Sequence, residues 1–196
     1  MVCTKCELHK SRTRAVPGEG PHDAKVFFVG EGPGQNEDEQ GRPFVGAAGK
    51  FLEELLESIG LKRSEVFITN IVKCRPPNNR APRKGEIEAC KSYLESQIRL
   101  INPRIICPLG TPAINTVIGD EYSATKVHGK PIEKGETIIL PLYHPAAALY
   151  DNTLRDVLLQ DFKILKDLLE KITKQENTPP SEDGRTVVKE SLEKWV

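Results

Sequence analysis

The sequence has no net charge: its 196 residues carry 28 basic against 28 acidic side chains, so no global field announces a polyanionic partner. Any nucleic-acid-binding face has to be local. No apolar run is long enough to span a bilayer, and no signal-peptide pattern precedes Cys3. A cytoplasmic, intracellular chain with no membrane contact is therefore expected. A second tight cysteine pair, which a zinc ribbon needs, is also missing. The five cysteines present point to metal or catalysis rather than to a disulfide framework. Tryptophan is nearly absent, and the single one, Trp195, lies near the far end of the chain, where core packing would not put it.

What is present is organised around Phe27–Gly34. An apolar run, Val26–Val29, stops in a glycine-rich turn carrying one carboxylate, Glu31. Gly30-x-Gly32-x-Gly34 lacks the spacing of the dinucleotide fingerprint, and Pro33 interrupts it. Strands are expected at Lys25–Gly30, Val66–Asn70, Arg104–Leu109 and Thr137–Tyr143. Phe51, Leu52, Leu55, Leu56 and Ile59 repeat at helical spacing until Gly60. Further helices are expected over Glu86–Ile101, over a short stretch capped by Thr111 and ending at Ile118, and over Asn152–Lys174. Arg75–Pro82 and Asp120–Gly135 read as loops. This alternation predicts an α/β fold, a three-layer α/β/α sandwich around a central four-stranded parallel sheet. The four strands finish in Glu31, Asn70, Gly110 and His144, at the edge where open α/β sheets bind ligands. Residues 1–174 form the expected domain. Residues 175–188 are rich in Glu, Pro, Ser and Asp and read as a linker, and residues 189–196 end the chain apolar.

Cys3 and Cys6 are spaced to bind one metal centre, while Cys74 lies in a loop and Cys90 on a helix. Four thiolates from such scattered elements suit a structural zinc or an iron–sulfur cluster, and the residues alone leave the metal open. Cys107 sits inside an apolar strand and reads as a core thiol.

Gly30-Glu-Gly-Pro-Gly34, Gly41-Arg-Pro-Phe-Val-Gly46, Thr69-Asn-Ile-Val-Lys-Cys-Arg-Pro-Pro77 and His144-Pro-Ala-Ala-Ala148 follow in that order. Together with the four cysteines, this closely resembles the family 4 uracil-DNA glycosylases, the iron–sulfur type of thermophilic bacteria and archaea. The resemblance runs from Cys3 to about Lys171. It implies removal of uracil from single- or double-stranded DNA and a four-iron, four-sulfur cluster on Cys3, Cys6, Cys74 and Cys90.

The residues agree with that chemistry. A base reached in DNA must leave the stack, and Phe44, expected to be exposed in its glycine-flanked loop, can hold its face. Asn70 offers the donor and acceptor that the N3–H and O4 edge of uracil requires, a pattern that cytosine reverses. His144 can donate to O2 as negative charge builds there. Glu31 can stabilise the cationic sugar or orient water, with the Gly32, Pro33 and Gly34 backbone completing the pocket. Classical uracil glycosylases carry an aspartate and a thymine-blocking tyrosine where this chain, like family 4, has Gly32 and Gly34. Glu37 is the candidate bar against the thymine methyl, and Asn79 lines the same side.

Lys73, Arg75, Arg80, Arg83, Lys126, His128 and Lys130 are expected to meet phosphates, and Leu149 to wedge into the space a flipped base leaves. Lys189-x-x-Leu192-x-x-Trp195-Val196 looks like a degenerate peptide for a replication sliding clamp. The expected protein is a monomer acting on the DNA of a prokaryotic nucleoid. Competing readings are a non-catalytic iron–sulfur DNA-binding module and a glycosylase for another deaminated base.

Overall fold

A computed structural model describes residues 2–177. The segment expected to bind a clamp, with Lys189, Leu192, Trp195 and Val196, and the rest of the expected linker beyond residue 177 lie outside them. The elements are β1 (Val26–Gly30), α1 (Gln35–Gln40), α2 (Ala47–Ser58), β2 (Phe67–Asn70), α3 (Lys84–Ile101), β3 (Ile105–Pro108), α4 (Thr111–Ile118), α5 (Ala124–Val127), β4 (Ile132–Lys134), β5 (Thr137–Ile139) and α6 (Thr153–Asn177).

All five residues of β1 are buried, as befits a strand covered on both faces. Alternation sends Phe27 and Phe28 to opposite sides of the sheet. Phe28 stacks on Phe162 of α6 at 5.9 Å and packs with Leu52, Leu55 and Leu56 of α2. Phe27 stacks on Phe67 at 5.1 Å and packs with Leu94 of α3 and Ala113 of α4. Two cores with the sheet between them are the expected α/β/α sandwich.

The sheet has five strands rather than four, in the order β2-β1-β3-β5-β4. The four expected strands are the parallel ones, and β4 adds an antiparallel edge. The segment read as a loop, Asp120–Gly135, holds both β4 and α5. Three residues, two of them charged, show no strand pattern in a sequence, and charge is how edge strands avoid pairing with another chain. Gly135, at φ +62°, turns β4 back into β5.

Smaller differences have local causes. Gln35–Gln40, a polar stretch, is a helix that ends at Gly41 in the left-handed region. Gly110 is the N-cap of α4, while the Thr111 hydroxyl accepts the Ala124 N–H at 3.1 Å and so ties α5 down. Past Ile139, β5 retains one isolated bridge, between Leu109 and Leu142. The last helix continues beyond residue 174 to Asn177, with Glu176 paired to Lys25 at 2.5 Å. Among the described residues no helix is long and apolar enough to cross a membrane.

Strand β1 has β2 on one side and β3 on the other. The connections therefore diverge at its carboxyl end, which opens a crevice there.

Candidate functional site

A cleft of about 520 Å³ opens at that crevice. All nine residues that the sequence assigned to base binding line it: Glu31, Gly32, Pro33 and Gly34 after β1, Glu37 on α1, Phe44, Asn70 at the end of β2, Asn79, and His144 after β5.

Gly30, in register with Asn70, makes the first close approach. A Cβ at Gly30 would lie 2.4 Å from the Asn70 side-chain oxygen and 2.6 Å from the Phe44 ring, so only glycine lets both cross the strand end. Asn70 is 2 % exposed. Its carbonyl accepts from Lys73 Nζ at 2.7 Å, and among the described residues its side-chain amide has no partner. The Glu31 carboxylate is half-buried and likewise unpaired, and burial raises its pKa above the usual carboxylate value.

His144 caps the short turn Pro145–Leu149, its Nδ1 accepting the Ala146 N–H at 3.1 Å. A backbone N–H can only donate, so in the neutral ring the proton sits on Nε2. Burial pulls the pKa down to about 4, against an upward pull from Glu37, and the ring is neutral at ordinary pH. Part of its edge still opens to the cleft. Gly110 leaves room for it, since a Cβ there would meet the His144 Cβ at 3.1 Å.

Phe44 was expected to be exposed and is not. The ring is 5 % exposed and stacks on His144 at 5.6 Å, because the Gly41–Gly46 loop folds inward over the strand ends. Its backbone is in the left-handed region at φ +49°. For a residue with a Cβ this costs about 1–2 kcal/mol.

Glu37 is committed inside the cleft wall. One carboxylate oxygen accepts the N–H groups of Val45 and Gly46, each at 2.8 Å, and the other accepts that of Gly34 at 3.1 Å. It thereby joins the Gly34 and Phe44 loops. Asn79, which lines the cleft, accepts from Arg75 Nε at 2.7 Å and stands in the left-handed region.

The basic residues divide. Lys73, expected at phosphates, is 2 % exposed. Its three ammonium donors go to Thr69 Oγ1, the Asn70 carbonyl and Gln97 Oε1 at 2.6, 2.7 and 2.7 Å, so no DNA contact is available to it. Burial lowers its pKa to about 7. Arg80 is held by Glu86 at 2.6 and 2.8 Å, and His128 by Asp161 at 2.9 Å with its ring against Tyr143. Lys126 and Lys130 are exposed, with Lys130 Nζ on the Lys126 carbonyl at 2.7 Å. Leu149 is 46 % exposed, and next to it Tyr150, at 92 %, lines the cleft. The sequence reading missed Tyr150; an aromatic directly after the candidate wedge was the available signal.

The four metal-candidate cysteines also come together. Cys3, Cys6, Cys74 and Cys90 line one cavity with Lys5, Arg12 and Lys73. Arg12 donates to the Cys74 sulfur at 3.1 Å and the Lys73 N–H to the Cys90 sulfur at 3.3 Å. Among the described residues no three His, Cys, Asp or Glu side chains are spaced to hold a single metal ion. Cys107 lies in the core on β3, where burial pushes its thiol pKa up.

Comparison with known proteins places this geometry in context. The sequence pattern described as the uracil DNA glycosylase superfamily matches residues 17–169. The chain is 53 % identical over 175 residues to a type-4 uracil-DNA glycosylase of Sulfurisphaera tokodaii, covering 85 % of this chain and 80 % of that one. It is 47 % identical over 173 residues to a type-4 uracil-DNA glycosylase of Thermotoga maritima, covering 86 % and 90 %. A type-5 uracil-DNA glycosylase of Thermus thermophilus is 32 % identical over 143 residues, covering 65 % and 64 %.

Proposed function

This chain belongs to the uracil DNA glycosylase superfamily, and on that footing we propose that it removes uracil from DNA, hydrolysing the N-glycosidic bond to leave an abasic site for base excision repair. The observation that carries the reading is a convergence. A buried amide and a carboxylate, both without a partner among the described residues, and an imidazole held in one tautomer hang from different strand ends over one cleft.

In this mechanism the flipped uracil lies against the Phe44 face. The Asn70 side-chain oxygen accepts N3–H and its side-chain NH2 donates to O4, an arrangement that leaves cytosine with two mismatched pairs. His144 donates Nε2–H to O2 as the departing base gathers negative charge, and a neutral donor suffices for that. Glu31 faces the oxocarbenium character of the sugar and the attacking water. Glu37, immobilised by its three backbone bonds, forms the wall against the thymine methyl, and Asn79 lines the same side. Leu149 and Tyr150 enter the stack beside the flipped nucleotide, while Arg75, Lys126 and Lys130 meet phosphates.

Cys3, Cys6, Cys74 and Cys90 would hold a four-iron, four-sulfur cluster. The donor set supports it: the four thiols line one cavity together with basic residues. Lys5, Arg12 and Lys73 offset its negative charge. Held there, it would cross-link the N-terminal segment, the loop after β2 and α3. The segment 189–196 is the docking peptide for a sliding clamp, and the enzyme acts as a monomer on intracellular DNA.

The test uses oligonucleotides that differ in one base, uracil, thymine or cytosine, followed by alkaline cleavage of abasic sites. Scission at uracil alone supports the reading. No scission by a protein that still binds the DNA would favour a binding module or another lesion.

A further inference from the structure

The strained conformation of Phe44 has its support outside the cleft. A bulky side chain at positive φ persists only where the surroundings over-determine it. Arg63, just before β2, does not line the cleft, yet its guanidinium donates to the carbonyls of Pro43 and, at 2.8 Å, of Phe44 itself. The same guanidinium is anchored on Glu19 at 2.7 Å and on Glu53 of α2 at 3.2 Å. Glu19 also grips Arg42, in the Phe44 loop, through bonds of 2.8 and 3.0 Å. From the other side, Glu37 takes the N–H groups of Val45 and Gly46. Gly49 of α2 closes the loop from beneath, where a Cβ would lie 1.9 Å from the Phe44 carbonyl oxygen.

A cation therefore holds the carbonyls up to the strained residue, and an anion holds the amides that follow it. We propose that Arg63 is a positioning residue for base recognition, fixing the Phe44 ring as a rigid stacking surface from behind the cleft. The inference rests on reading the cleft as the uracil pocket. Its chemistry is specific to arginine: a planar fork with five donors serves two carbonyls and two carboxylates at once, which an ammonium cannot do. Arg63 and Glu19 are only 15 % and 28 % exposed at their side chains, so this pair is partly shielded from salt.

The experiment compares Arg63→Lys in the natural protein and in a Phe44→Ala background. Three quantities are read: competitive inhibition by free uracil base, affinity for abasic-site DNA, and melting temperature. Arg63→Lys should weaken free uracil binding about tenfold, the size of a lost stacking contact, while abasic-site affinity stays within about twofold. In the Phe44→Ala background the same substitution should change uracil binding no further. Equal losses in both backgrounds, or no loss in either, would overturn the proposal. Gly49→Ala displaces the Phe44 carbonyl from the opposite side with Arg63 intact. It should reproduce the loss and its dependence on Phe44, even where an Arg63 variant folds poorly.

A fluorinated phenylalanine at position 44 separates this proposal from the function it rests on. A single fluorine resonance that splits or broadens in Arg63→Lys supports the clamp whatever the ligand, and an unchanged resonance overturns it. A natural protein with no affinity for uracil overturns the pocket reading alone.

Discussion

The cleft at the strand ends and the cavity of the four cysteines treat their polar groups in opposite ways. In the cleft, the Asn70 amide and the Glu31 carboxylate have no partner among the described residues, His144 keeps one nitrogen for a ligand, and Phe44 is strained. Around the cysteines, Arg12 and the Lys73 N–H already donate to sulfur, and cations line the wall. The cleft is set to hold something transient and to lower a barrier. The cysteine cavity is, on the reading proposed above, a site for a resident cluster. Their construction differs accordingly: sheet register aligns the cleft residues, whereas the cysteines come from three separate segments that a bound cluster would join.

The two regions meet at Lys73, whose N–H serves Cys90 while its ammonium serves the carbonyl of Asn70. Damage to the cysteines should therefore reach the cleft, but damage to the cleft should leave the cysteines intact.

The largest expected effect comes from Cys74→Ala. A structural metal–thiolate centre contributes on the order of 10 kcal/mol to folding, comparable to the whole stability of a domain, about 5–15 kcal/mol. The variant should be colourless, with a strongly lowered melting temperature and no excision. A brown, stable Cys74→Ala protein would remove the distinction between the two regions.

Acidification should act on the cleft alone. Protonating Glu31 removes the carboxylate that faces the sugar, so kcat/KM should fall about tenfold per pH unit below its pKa. Because burial raises that pKa, the fall should begin above the usual carboxylate range. His144 stays neutral down to about pH 4 and should add no step between pH 5 and pH 8. Activity that rises as pH drops through about 6.5, the ordinary histidine pKa, would mean that a cationic His144 does the work.

Lys73→Met should have a smaller, mixed effect. It leaves the buried Thr69 and Asn70 acceptors and the half-buried Gln97 short of a donor, at a cost of about 1–3 kcal/mol. Excision should weaken several-fold with the brown colour retained, as measured by single-turnover rates and visible absorbance on one preparation. Loss of colour before activity would place Lys73 with the cysteines alone.

Much of this was legible in the sequence. Apolar runs that stop at Glu31, Asn70, Gly110 and His144 mark both the parallel strands and the residues hung from them, and all nine base-binding candidates share one cleft. Of the cysteines, only the Cys3–Cys6 pair was legible from its spacing, and Cys74 and Cys90 joined it through the resemblance. What stayed hidden depends on tertiary partners. Nothing local distinguishes buried Lys73 from a solvated lysine, or Arg63 from a surface arginine, until Gln97 and the Phe44 carbonyl are brought beside them. The inward fold of Phe44 needs Gly49 and Glu37 in place, and β4 is too short and too charged to carry a pattern.

The most direct test of the division between the two regions is single-turnover uracil excision by His144→Ala, read with visible absorbance and melting temperature on the same sample. We expect excision to fall about 10²–10³-fold, as for loss of one donor to a developing anion, with colour and melting temperature unchanged. Excision at the natural rate would contradict the role of His144 at uracil O2. Loss of colour along with activity would contradict the separation of the catalytic cleft from the structural cysteine site.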